Sequence, residues 1–115
     1  MSDVNDFLPL SPASLHIMIA LAGGDLHGYG IMLDVATHSD GQYKLGPGTL
    51  YDNLQRLLDQ GLVQESSKKD PDPRRRYYRL TPTGKAVVVA EIDRLESVFR
   101  KVKTQLTGRK PRRAQ

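Results

Sequence analysis

Apolar positions recur at helical spacing in four segments of this 115-residue chain, and one stretch between them changes period. In residues 12–22, Leu15, Met18, Ile19 and Ala22 share a helical face, with Ile17 and Leu21 to the side. So wide an apolar arc exceeds what one core contact needs, so Leu15, Met18 and Ile19 are also candidates to face a partner. Ser11-Pro12 opens this helix: a hydroxyl meets the free amides, then comes a residue whose missing N–H costs nothing there. Gly23-Gly24 closes it. A second run, Tyr29, Met32, Leu33 and Ala36, ends at Asp40-Gly41. The third starts at Pro47, carries a buried stripe of Leu50, Leu54, Leu57 and Leu58, and stops at Gly61.

Beyond Gly61, LVQES reads as a short strand, KKDPDPR as a turn with two prolines, and RRYYRL as a second strand. Alternation along the second strand predicts Tyr78 and Leu80 inside. Thr81-Pro82 repeats the hydroxyl-proline start and opens a last helix, residues 82–106. There Val88, Ile92, Leu95, Phe99, Val102 and Leu106 form a heptad seam, while the other faces are charged. A seam of this length either covers a partner or packs back on the chain's own first helix, and the partner reading is preferred. It makes Val88, Ile92, Leu95, Phe99, Val102 and Leu106 a dimer interface.

The element order is three helices, a two-stranded wing and a long helix. This predicts a mainly α (α+β) fold: a winged helix-turn-helix over residues 8–81 and a C-terminal dimerisation helix over 82–106. Residues 1–7 and 107–115 are expected to be flexible tails.

Composition narrows the chemistry. The length allows one domain. The absence of cysteine removes disulfide, thiol and cysteine-metal chemistry. Apolar runs fall short of the roughly 20 residues that cross a bilayer, and the first residues, MSDVNDFLPLSP, lack the basic and apolar regions of a secretion signal. A cytoplasmic protein without membrane contact is expected. His16, His27 and His38 are scattered and suggest no metal site; no cofactor is implied, and no nucleophile–base set suggests an enzyme. The net charge of +4 conceals an asymmetry. Residues 1–60 set Lys44 and Arg56 against seven aspartates, whereas residues 61–115 carry fifteen Lys and Arg against six acids. The basic half suits a polyanion, or equally a solvated basic surface.

In a winged helix the third helix enters the major groove of double-stranded DNA and the wing meets its backbone. The helix after Pro47 offers Thr49, Asp52, Asn53 and Arg56 on what reads as its open face. Asparagine suits adenine, arginine guanine, and threonine a phosphate or a thymine methyl. Tyr51 can reach a phosphate through its hydroxyl or simply pack under the wing. The wing adds Lys68, Lys69, Arg74, Arg75 and Arg76 around an acidic Asp70-Pro-Asp-Pro73 tip, so the basic shoulders should touch DNA and the tip point away. Lys44, Thr49, Tyr51, Asn53, Arg56 and these five wing residues form the candidate DNA-binding set. A winged helix turned to protein interaction, as a co-regulator without strong operator recognition, is the alternative; the acidic first half and Asp52 motivate it.

SPASLHIMIALA, HGYGI, GPGTLYDNLQRLLDQGLV and RRRYYRLTPTGK, followed by a single helix, occur here in that order. The combination resembles the PadR family of bacterial transcriptional regulators, in its short subgroup with one C-terminal helix, over about residues 8–106. The resemblance implies a homodimer whose last helix packs on the partner and on its first helix, bound to a palindromic operator. It also implies repression relieved by an aromatic or drug-like small-molecule effector. By position it puts Thr49 and Tyr51 on the helix that meets DNA and Arg74, Arg75 and Arg76 on the wing. Asp52 departs from the proline or uncharged residue common there. Ligand stacking between tryptophans does not transfer, because the chain has none.

Overall fold

The computed structural model describes residues 3–108. A 3-10 helix, Val4–Phe7, leads into α1 (Pro12–Ala22), β1 (Leu26–His27), α2 (Gly28–His38), α3 (Pro47–Asp59), β2 (Val63–Glu65), β3 (Tyr77–Leu80) and α4 (Pro82–Thr107). The helix starts follow the capping chemistry. Ser11 accepts the Ser14 amide, Thr81 accepts the Gly84 amide, and Pro12, Pro47 and Pro82 occupy the first turns. Gly46 caps α3 without a side chain, so Gly46-Pro47-Gly48 is a helix entry.

One apolar core joins the helices and the sheet. Ile17 and Met18 from α1, Ile31 and Val35 from α2, and Leu50, Leu54 and Leu57 from α3 are fully enclosed with Leu62, Val63 and Val87. Each enclosed side chain of this size contributes about 1.5–3 kcal/mol of transfer free energy. Leu80 is buried and Tyr78 half-buried, on the face that alternation assigned them.

The join between α3, the wing and α4 is tight. Gly61, at φ 76°, ends α3 with its N–H on the Leu58 carbonyl and the Leu62 N–H on that of Leu57, a paired closure that needs a left-handed residue. Thr81 then donates its N–H to the Leu62 carbonyl and its hydroxyl to that of Gly61. The strands leave and return at one anchored point, which fixes the wing against α3.

Several expectations need correction. The sheet has three strands in the order β1-β3-β2, not two. Leu26 and His27 pair with Tyr78 and Tyr77, too short a segment to show a period of two. Residues 3–7 are no loose tail: Val4–Phe7 forms the 3-10 helix, capped by Asp3, and Val4 and Phe7 pack on the core. Residues 109–115 lie outside the described part. Met18 and Val88 point into the chain's own core instead of a seam. Leu15 and Ile19 are half-buried. The start of α4 packs on α1 and the 3-10 helix, so both alternatives for its apolar seam hold, each for part of the helix.

Candidate nucleic-acid interface

Four side chains of α3 stand in solvent: Thr49, Tyr51, Asp52 and Arg56. Asn53 does not, and its placement on an open face is corrected. It is 7% exposed. Its amide donates to the Thr49 carbonyl (2.8 Å), and its oxygen accepts from the Ser14 hydroxyl (3.2 Å) and Arg56 Nη1 (2.9 Å). Position 53 falls three after Leu50 and four before Leu57, on the stripe that faces α1. Asn53 therefore locks α3 to α1 and holds Arg56 at the rim. Lys44 is exposed just before Leu45 turns into the core.

Lys68, Lys69, Arg74, Arg75 and Arg76 are all exposed on the wing, yet part of that charge is engaged. Arg74 grips Asp72 through Nε and Nη2, both at 3.2 Å. Arg76 reaches Glu65 at 3.1 Å across the strands. Lys68 lies 4.8 Å over the Tyr77 ring. The acids of the tip are turned to the tip's own construction. Asp70 accepts the Asp72 amide and the Tyr77 hydroxyl, each at 2.8 Å, and the backbone bond leads in holding its carboxyl below the usual range. Asp72 is lowered chiefly by Arg74. The bond to Asp70 raises the Tyr77 phenol, while burial raises that of Tyr78. Solvated ion pairs of this kind are weak, so Arg74 and Arg76 can exchange a carboxylate for a phosphate.

The wing and α3 share one surface. Between them is a cleft of about 350 Å³ lined by His27, Gly28, Tyr29, Tyr51, Arg74, Arg75, Arg76 and Tyr78. A side chain at Gly28 would overlap the Tyr51 hydroxyl, so glycine at the start of α2 is what lets Tyr51 lie there. The first residues of α2 belong to this surface, a role that reading His27 as an isolated histidine missed.

Ile92, Leu95, Phe99, Val102 and Leu106 lie on the part of α4 that extends past the core. Phe99 is 62% and Leu106 81% exposed, and with Val98 they line an apolar groove. Sequence reasoning also missed Glu91. It was assigned to a charged outer face but is 1% exposed, held by Arg94 at 2.6 Å and by the Leu10 amide at 2.9 Å.

Residues 17–90, most of the helical core, the wing and the start of α4, match the family described as transcriptional regulator PadR-like. The chain belongs to the PadR-like family. A PadR-like chain is a transcriptional regulator and not an enzyme. Its similarity to the transcriptional regulator Rv3488 of Mycobacterium tuberculosis is 34% identity over 88 residues, 76% of this chain and 79% of that one. Among solved structures, a PadR family transcription regulator from Clostridium difficile R20291 superposes with a TM-score of 0.63 at 27% identity, covering 84% of this chain and 98% of that one. Bacillus subtilis PadR, solved in complex with operator DNA, gives a TM-score of 0.63 over 73% of this chain and 47% of its own. At 21% identity that likeness concerns the PadR winged-helix fold alone.

Proposed function

We propose that this chain is a homodimeric transcriptional repressor that binds a palindromic operator in double-stranded DNA and is released by a small-molecule effector. The observation that carries the DNA reading is the common surface of α3 and the wing, where Thr49, Tyr51 and Arg56 stand beside exposed Arg74, Arg75 and Arg76. A major groove of roughly 12 Å admits α3, and the wing then falls along the adjoining phosphates. With Asp52 and Asp59 on it, α3 carries little net charge, so it reads bases or shape while the wing, with Lys44, holds the backbone.

The projecting half of α4 supports the dimer. A helix of 26 residues runs about 39 Å at 1.5 Å per residue, and its outer apolar residues have no cover from the described chain. The radius of gyration, 16.7 Å, exceeds the roughly 13 Å of a compact domain of this length, consistent with that projection. Two chains joined along Ile92, Leu95, Phe99, Val102 and Leu106 would present two α3 helices to successive half-sites about 34 Å apart. Occupancy of a promoter is the simplest regulatory act of such a molecule. An aromatic or drug-like compound seated by Phe99, Val98 and Val102 would alter the spacing of the two heads and so release the operator.

Fluorescence anisotropy with the duplex upstream of its own gene, against an unrelated duplex of equal length, tests the reading. Selective binding that weakens steeply with salt is expected. Equal, weak binding to both duplexes would instead favour the interaction-module reading, which the pairing of Arg74 and Arg76 with the chain's own acids supports.

A further inference from the structure

His27 and Arg75 meet in a way that neither can satisfy. The Gly30 amide, a donor only, lies 3.0 Å from His27 Nδ1. That nitrogen must accept, so the neutral ring carries its proton on Nε2. Arg75 Nη1, also a donor only, stands 2.8 Å from Nε2. N–H therefore faces N–H, and protonating the ring would add a charge without supplying an acceptor. The ring is fixed in this direction by its cap bond to Gly30 and by the edge of Tyr77, with ring centres 5.1 Å apart. Arg74 and Arg76 each hold a carboxylate, whereas among the described residues Arg75 forms no ion pair. The Tyr51 hydroxyl, on the other wall of the same cleft, has no hydrogen-bond partner among the described residues.

We propose that His27 Nε2–H, the Arg75 guanidinium and the Tyr51 hydroxyl form a seat for one phosphate group, a phosphodiester of the DNA backbone between α3 and the wing. A phosphate oxygen between Nε2 and Nη1 accepts from both and removes the donor–donor conflict, and the tyrosine hydroxyl donates to a second oxygen. This rests on the DNA-binding reading and adds to it a residue, His27, and an accepting partner that the seat lacks without DNA.

His27→Asn separates the two jobs of the histidine. Asparagine is a strong cap and can still accept the Gly30 amide, but it does not reach the phosphate. The melting temperature should hold while affinity for the upstream duplex falls by on the order of tenfold, and for unrelated duplexes by the same factor. A neutral donor releases no counterion, so the salt slope should not change. Arg75→Ala should weaken binding to a similar extent and flatten the slope by about 0.9. Tyr51→Phe keeps the ring and removes only the hydroxyl; a loss of roughly threefold is expected. Because the groups share one phosphate, the His27→Asn/Arg75→Ala double variant should lose less than the product of the single losses. Wild-type affinity in His27→Asn, or losses that multiply independently, would overturn the seat and leave the DNA reading standing. No duplex binding by the wild type would overturn both. Titration with inorganic phosphate alone distinguishes the sources: saturation at millimolar phosphate with unchanged duplex affinity in the variants would assign the seat to free phosphate and overturn its assignment to DNA.

Discussion

Glu91 is enclosed where α4 crosses the end of the N-terminal segment. Its bond to Arg94 leads in holding the carboxyl below its ordinary value of 4.5, and the Leu10 amide acts in the same direction. A carboxylate with a depressed native pKa contributes stability that is complete above the unfolded value and is lost as pH falls through the native one. Glu91→Gln should lower stability at neutral pH by about 1–3 kcal/mol and flatten the acid limb of a melting-temperature profile below pH 4.5; an unchanged limb would contradict the assignment. Burial, and next His38, lower His16, so the same sign applies: its contribution is complete above the ordinary histidine value and declines on acidification. The glycines give a contrast in mechanism. A side chain at Gly84 would run into the Leu62 carbonyl, rigid backbone that accepts the Thr81 amide. At Gly28 the obstacle is the mobile end of Tyr51. Gly84→Ala should therefore cost about 1–3 kcal/mol despite the better helix propensity of alanine. Gly28→Ala should act mainly on DNA affinity by displacing Tyr51. Chemical denaturation of both variants checks the difference. At this scale the sequence was only partly legible. Asn53 sits on the leucine stripe at a readable spacing, but asparagine also suits a base edge, and residue type suggested the wrong role. His27 and Glu91 acquire theirs from Arg75 and Leu10, far away in the chain.

Helix boundaries were the most legible feature, because hydroxyl-proline starts and Gly61 act through neighbours in sequence. Pro12, Pro47 and Pro82 all begin helices. β1 was not legible, since two residues carry no periodicity and become a strand only by pairing with Tyr77 and Tyr78. The heptad seam of α4 was visible as a pattern but not as a division of labour. Val88 belongs to the chain's own core and Phe99 to solvent, and that boundary depends on where α1 and the 3-10 helix end. If the outer part is the dimer interface, replacing Leu95 and Phe99 with glutamine should give a folded monomer by sedimentation, since Phe99 contributes little to the single-chain core. A dimer of undiminished stability would place the interface elsewhere.

Across the whole molecule, the acidic first half and basic second half are brought into one surface, because the wing folds back beside α2 and α3. The order of elements and the family motifs made the PadR-like architecture readable, whereas the neutralisation of Asp70 and Asp72 within the wing tip was not. Arg74→Ala/Arg75→Ala should weaken binding to all duplexes alike and reduce the salt slope by up to about 1.8. Arg56→Ala should instead narrow the gap between the upstream and an unrelated duplex. The central claim is a two-headed DNA-binding regulator, and the most direct measurement is the stoichiometry of its complex with the duplex upstream of its gene. Sedimentation velocity at moderate salt should show two chains per duplex, formed together, and no such species on a scrambled duplex. One chain per duplex, or equal loading of both sequences, would contradict it.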